Sequence, residues 1–208
     1  MKKLIAGLVV AGLACLMLAP QAARADVQFG LHGGGNMAKL TGNDVQDING
    51  TLKSKVGFMG GIFIAFNLSN MFTIQTEVNY TMKGVASTYT DLDTEYSDKI
   101  YGNYIEVPLL LKLRIPTPLV SPFVFAGPAV GFKLSEKVIS NGQSVPISEA
   151  IFKNNDYGAI FGAGLSIGRH FFADVRYSLG LQKVLSVIEG TQLDVKNGVW
   201  SGTIGIGF

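Results

Sequence analysis

The chain has 208 residues, 48% of them hydrophobic, with 26 glycines, 7 prolines, one cysteine and a formal net charge of +2. This suits one domain with its own core and excludes disordered or collagen-like chains. A single cysteine excludes a disulfide framework, and no basic face argues for a nucleic-acid partner.

The N-terminus reads as a secretory signal. Met1-Lys2-Lys3 is basic, Leu4 to Leu18 is apolar, Pro20 breaks the run, and Ala23-Arg24-Ala25 offers an A-x-A cleavage site. The apolar run is too short for a membrane helix. A lipoprotein signal through Cys15 fits less well, because Gly12 stands where a large aliphatic is wanted and Leu16-Met17-Leu18 stays apolar. Cleavage after Ala25 is therefore expected. Losing Lys2, Lys3 and Arg24 from the 17 basic residues leaves 14 against 15 acidic ones, a net charge of −1, in a mature domain of residues 26–208 without a thiol.

The rest of the chain reads as eight strands. The first runs over about 27–38, with Val27, Phe29 and Leu31 opposite Gln28, His32 and Asn36. The second, 56–66, alternates Phe58, Ile62, Ile64 and Phe66 with Gly57, Gly61 and Ala65. The third has the clearest period of two. Phe72, Ile74, Val78, Tyr80 and Met82 share a face with Thr76, and Thr73, Gln75, Glu77, Asn79, Thr81 and Lys83 share the other. The fourth, 101–113, sets Ile105, Val107, Leu109, Leu111 and Leu113 against Tyr104, Glu106, Leu110 and Lys112. The uncharged stretch Ile115 to Phe132 is long enough for a membrane helix, but Pro116, Pro118, Pro122 and Pro128 each cost a helix about 3 kcal/mol, so it reads as a turn and a fifth strand. That strand, about 123–133, is apolar on both faces and its register stays open. The sixth, 157–167, sets Ala159, Phe161, Ala163, Leu165 and Ile167 against Gly158, Gly162, Gly164 and Ser166. The seventh, 171–181, sets Ala173, Val175, Tyr177 and Leu179 against Asp174, Arg176, Ser178 and Gly180. The last puts Trp200, Ile204, Ile206 and Phe208 on one face and Ser201, Thr203, Gly205 and Gly207 on the other.

These features predict an all-β protein, an eight-stranded antiparallel transmembrane β-barrel. The connections alternate long and short (about 40–55, 67–71, 84–100, 114–121, 134–156, 168–170 and 182–198), as external loops and periplasmic turns do in outer-membrane barrels. Phe29, Phe66, Phe72, Phe171 and Phe208 fall at expected periplasmic ends, and Tyr80, Tyr101, Tyr157 and Trp200 toward the outer ends, where aromatic girdles belong. Pro108 and Pro128 lie inside adjacent strands and cannot donate to the ladder, so a bulge or a missing rung is expected between the fourth and fifth strands. Alternation alone fits a soluble lipocalin-like barrel as well. The terminal aromatic strand, the sorted aromatics and the charges favour lipid outside.

Glu77, Glu106, Lys112, Asp174 and Arg176 all fall on the polar face. An eight-stranded barrel is just wide enough for side chains to fill. The expectation is an interior ion-pair network that plugs the lumen, with small residues of the second and sixth strands making room. The alternative is a narrow channel for small solutes.

Several segments resemble the PorT-like "porin family" of outer-membrane β-barrel proteins. They are Gly34-Gly35-Asn36 with Leu40-Thr41-Gly42, Glu77-Val78-Asn79-Tyr80 with Lys83-Gly84, and Ile105-Glu106-Val107-Pro108-Leu109-Leu110-Leu111-Lys112. Ala126-Gly127-Pro128, Gly162-Ala163-Gly164 and Arg176-Tyr177-Ser178-Leu179-Gly180-Leu181 complete the set. The resemblance implies a cell outer-membrane location in a Gram-negative bacterium, with outer-membrane lipids and lipopolysaccharide as surroundings. It also implies Phe208 as a signal to the barrel-assembly machinery.

No enzyme or cofactor is expected. A lipid-modifying site would need a histidine with a serine and a carboxylate at the membrane edge. His32 is inward in the first strand, and His170 sits in the shortest periplasmic turn. Asp91, Asp93, Glu95 and Asp98 have D-x-D-x-E spacing but lack the glycine and closing glutamate of a calcium loop, so a solvated loop is expected, with a weak divalent-cation or lipopolysaccharide-bridging site as the alternative. The loop 134–156 carries Val138, Ile139, Val145, Ile147, Ile151 and Phe152, which suit a fold over the barrel mouth or a partner contact. The overall expectation is a structural or surface-interaction protein, with a lipid-modifying enzyme as a lesser reading.

Overall fold

A computed structural model describes residues 26–41, 51–91, 94–140, 143–145, 155–181 and 196–208. The leader 1–25, Asp93, Ile147, Ile151 and Phe152 lie outside the described residues. So do the side chains of Tyr101, Asp91, Glu95, Asp98, Val138 and Val145.

The strands are β1 (Asp26–Thr41), β2 (Thr51–Asn67), β3 (Phe72–Asp91), β4 (Thr94–Arg114), β5 (Val120–Ser140), β6 (Gln143–Val145), β7 (Asn155–Ile167), β8 (Phe171–Gly180) and β9 (Lys196–Gly207). All but β6 form one closed antiparallel meander. Each strand pairs with its chain neighbour, and β9 returns to β1 through pairs such as His32↔Gly205 and Asn36↔Ser201. The terminal residue extends that seam: Phe208 N–H donates to Phe29 O at 2.7 Å and Phe29 N–H to Phe208 O at 3.2 Å. Closure leaves no edge in the barrel wall.

Period two separates the faces as the sequence suggests. Val56, Ile62, Val78, Leu111, Val175 and Ile204 are exposed on the outside, whereas Thr73, Gln75, Glu77, Asn79, Thr81 and Lys83 are buried within. The undecided register of β5 is resolved: Ser121, Phe123, Phe125 and Ala129 point inward, and Val124, Ala126 and Pro128 outward. The second strand corrects the expectation of a mainly Gly and Ala interior. Met59 and Phe63 are inward and buried, as is Ile160 on β7. They hold the odd or even positions that the alternation assigns to the lumen, but their apolar chemistry hid this.

The short turns 68–71 and 168–170 match expectation. Gly168 takes a positive φ of 61°, the left-handed conformation that favours glycine. At the other end the strands run further than expected. β3, β4 and β5 have 20, 21 and 21 residues, about twice what a tilted strand needs to cross a bilayer. The segment 84–100, expected as a loop, is instead the paired end of the β3–β4 hairpin, down to Asp91↔Thr94. Glu95 and Asp98 therefore sit in extended ladder backbone, paired with Thr90 and Ser87. β6 pairs with the far end of β5, outside the ring.

Pro108 interrupts both of its ladders. Pairing of β3 with β4 skips from Thr76↔Leu109 to Asn79↔Glu106, and pairing of β4 with β5 skips from Pro108↔Ala129 to Leu111↔Ala126, in neither case with a change of register. At Pro108 rungs are missing and no residue is inserted; the register shift between β4 and β5 lies further along, at Asn103/Tyr104. The hydroxyl of Thr76, the one polar residue on the outer face of that stretch of β3, donates to Pro108 O at 3.0 Å.

Candidate functional site

The lumen holds the charges. Arg176 projects from β8 and Glu77 from β3. Three strands separate these two in either direction around the ring, so they face each other across the full width of the barrel. Arg176 Nη1 donates to Glu77 Oε2 at 2.7 Å. Its Nε and Nη2 grip both oxygens of Asp174, two residues away on β8, at 2.9 and 3.0 Å. Such charge-assisted, two-pronged contacts are the strong and directional class of hydrogen bond. The carboxylates are satisfied further. Gln75 and Asn79 donate to Glu77 at 2.7 Å each, and Thr203 donates to Asp174 at 2.9 Å. Arg176 is 2% exposed, Glu77 1% and Asn79 0%, which leaves water little access to these groups.

Lys112 joins this cluster at one remove. Its ammonium donates to Gln75 Oε1 at 2.8 Å and lies 4.5 Å from the Phe123 ring centroid and 5.4 Å from that of Phe172. His32 Nε2 lies 2.8 Å from Asn79 Oδ1 and 3.6 Å from Glu77 Oε2. With His32 neutral, the cluster carries two positive and two negative charges.

Glu106 stands apart. It belongs to a second group nearer the long-strand end, where Lys83 bridges Glu106 Oε1 at 2.9 Å and Asp156 Oδ2 at 3.0 Å, above the Tyr104 ring. A third pair, Lys133 with Glu136 at 2.8 Å, lies on β5 close by. The five charged residues singled out from the sequence thus fall into two groups, Glu77, Asp174, Arg176 and Lys112 in one and Glu106 in the other. Lys83 and Asp156 were missed as partners, although each lies in period-two step with a residue already read as inward, Glu77 and Gly158.

An aromatic layer is the other feature sequence reasoning missed. Phe63, Phe123, Phe125 and Phe172 face inward on the short-turn side of the charges. Each ring lies over a glycine of the next strand: Phe63 on Gly30, Phe125 on Gly162, Phe123 on Gly164 and Phe172 on Gly205. Arg176 stacks over Phe125 with 5.2 Å to the centroid. The residue types could have signalled this, since each glycine is inward by alternation.

A closed sheet with an apolar exterior and an ionised interior defines the transmembrane β-barrel class. Outside, Phe29, Phe72, Phe171 and Phe208 are exposed at the short-turn end, and Tyr157 and Trp200 toward the other. Residues 20–186 match the model of the outer membrane protein beta-barrel domain, and the chain belongs to that family. Its place is the outer membrane. Solved structures of similar fold include Ail, the attachment invasion locus protein of Yersinia pestis, at 18% identity over 88% of this chain and 99% of that one, TM-score 0.45. Neisserial surface protein A aligns at 17% identity over 86% and 97%, TM-score 0.48. OprG from Pseudomonas aeruginosa aligns at 11% over 89% and 98%, TM-score 0.48. No curated protein matches the chain.

Proposed function

We propose that this protein is a non-conducting, non-enzymatic barrel whose work is done by the strands it raises above the outer membrane. The observation that carries the reading is the Glu77–Arg176 bridge. It joins opposite walls of the lumen and sits, with Asp174, on the aromatic layer of Phe63, Phe123, Phe125 and Phe172. An ion would have to break buried charge-assisted bonds and then pass that layer. The excess length of β3, β4 and β5 supports a surface-interaction or structural role, since short turns fix their other ends at the periplasmic side.

On this reading residues 1–25 are a removed leader, Phe208 is read by the barrel-assembly machinery, and the chain is a PorT-like member of its family. His32 bears on chemistry. Its partners are Asn79 and Glu77 in the middle of the lumen, where no lipid ester reaches, and His170 is bonded to Gly207 O at the periplasmic end. Planar-bilayer recordings of purified protein test the sealed lumen. No steady unitary conductance is expected for the wild type, and a reproducible one would establish the narrow-channel alternative instead.

A further inference from the structure

The inward cations of the barrel are not treated alike. Arg176, Lys83 and Lys133 each have a carboxylate within 3.0 Å. Lys112 and Arg114, two residues apart at the short-turn end of β4, make no ion pair among the described residues. Arg114 Nε is buried without a hydrogen-bond partner there.

Both residues line a small cavity of about 20 Å³ at the periplasmic mouth of the lumen, together with Arg169 and His170 from the 168–170 turn. Its remaining wall is amide, hydroxyl and apolar, with Asn67, Thr73 and Ser166 among the polar groups and no carboxylate. The nearest acids lie outside that wall: Asp26 holds Arg169 at 2.9 Å, both of those side chains being largely exposed, and Glu77 lies one hydrogen-bonded residue, Gln75, away from Lys112. Three cations thus converge on a wall that carries no carboxylate, and Arg114 has no acidic partner among the described residues. Like charges gathered in this way destabilise a fold unless an anion joins them, and the low-dielectric barrel wall focuses their field on the mouth.

We propose that this mouth is a binding site for a phosphate-class oxyanion, held between the guanidinium groups of Arg114 and Arg169 with Lys112 behind them. Guanidinium forks match phosphate oxygens two at a time. Asn67, whose Oδ1 accepts from the Thr73 hydroxyl at 2.7 Å, supplies a neutral amide donor at the rim. The present free space suits about one water, so the anion enters as the exposed Arg169 side chain swings outward and closes over it. The site lies on the periplasmic side of the bridged charges and does not depend on whether the lumen conducts.

The test uses the folded protein in an uncharged maltoside micelle at low ionic strength, titrated calorimetrically with inorganic phosphate and, separately, with dihexanoyl phosphatidylglycerol below its micellar concentration. Saturable binding of phosphate, weakened at least tenfold in Arg114→Gln and unchanged in Lys137→Gln at the far end of β5, is expected for a free oxyanion. Binding of the short-chain lipid alone, with the same loss, assigns the site to a headgroup of the inner leaflet. Heat-modifiable gel mobility checks that the variants are folded, and Arg169→Gln serves if Arg114→Gln is not. Absence of binding by both probes, equal binding by chloride, or wild-type affinity in the folded arginine variant overturns the proposal.

Discussion

Replacing Arg176 by methionine removes three hydrogen bonds and strands two buried carboxylates. Breaking a buried ion pair by deleting one partner costs about 3–5 kcal/mol, because the remaining charge has lost its compensation. Two stranded charges do not double that figure here. Glu77 keeps the donors of Gln75 and Asn79, and Asp174 keeps Thr203. A loss of about 3–5 kcal/mol is therefore expected for Arg176→Met. Glu77→Gln strands one charge on the guanidinium, which Asp174 still holds at two points, and should cost less. Because the two changes remove the same bond, the double variant should lose about 1–3 kcal/mol less than the sum. Reversible urea unfolding in lipid vesicles measures all three. Trp200, the single tryptophan, lies exposed on the outer face and reports the transition through its fluorescence. An Arg176→Met loss under about 1 kcal/mol, or strictly additive effects, would show that the cluster is solvated and would refute the reasoning.

The remaining predictions concern the wall. Val78→Arg, at a half-exposed position midway along the membrane-spanning part of β3, should cost about 2–4 kcal/mol in vesicles, whereas Leu113→Arg, at the periplasmic end of β4, should cost about 0–1 kcal/mol. Similar losses at both positions would contradict the depth assigned to the strands. Gly127→Ala drives a methyl group against the Leu109 carbonyl of the adjacent strand and should destabilise by about 1–3 kcal/mol, while Gly202→Ala meets open space and should be neutral or gain up to about 1 kcal/mol. Urea midpoints separate the two, and a costly Gly202→Ala would mean that the outer face of β9 is covered.

What the sequence made legible follows from where the two faces of a strand meet unlike surroundings. β3 lies between lipid and an ionised lumen, so Val78 and Asn79 announce their sides and Glu77 could be placed inward. β5 meets lipid on one face and the aromatic layer on the other. Phe123 and Val124 are then equally apolar, and only pairing such as Phe125↔Gly162 decides between them. Phe63 and Met59 were hidden for the same reason. Beyond Lys83 the period of two disappears from the sequence, and the ladder from Gly84 to Asp91 read as a loop although its backbone is paired. The Lys83–Asp156 bridge joins residues 73 apart on strands that are not neighbours, a proximity that no local pattern encodes.

The aromatic layer explains why so many inward glycines are tolerated in strands they would otherwise weaken. An eight-stranded barrel has little interior area, and side chains of ordinary size from every strand would collide. The rings of Phe63, Phe123, Phe125 and Phe172 therefore reach over glycines of the neighbouring strand. Gly205 gives the cleanest test, because the atoms nearest to a methyl group there belong to side chains, the Phe172 ring and His32 Cβ. Gly205→Ala alone overpacks the layer and should cost about 1–3 kcal/mol. Phe172→Leu alone leaves a gap under Lys112 and should cost a similar amount. Combined, the smaller side chain makes room for the added methyl group, so the double variant should be more stable than the sum of the two losses by about 1 kcal/mol or more. Strict additivity in urea unfolding would mean that the ring does not rest on the glycine, and the packing account of the small residues would fail with it.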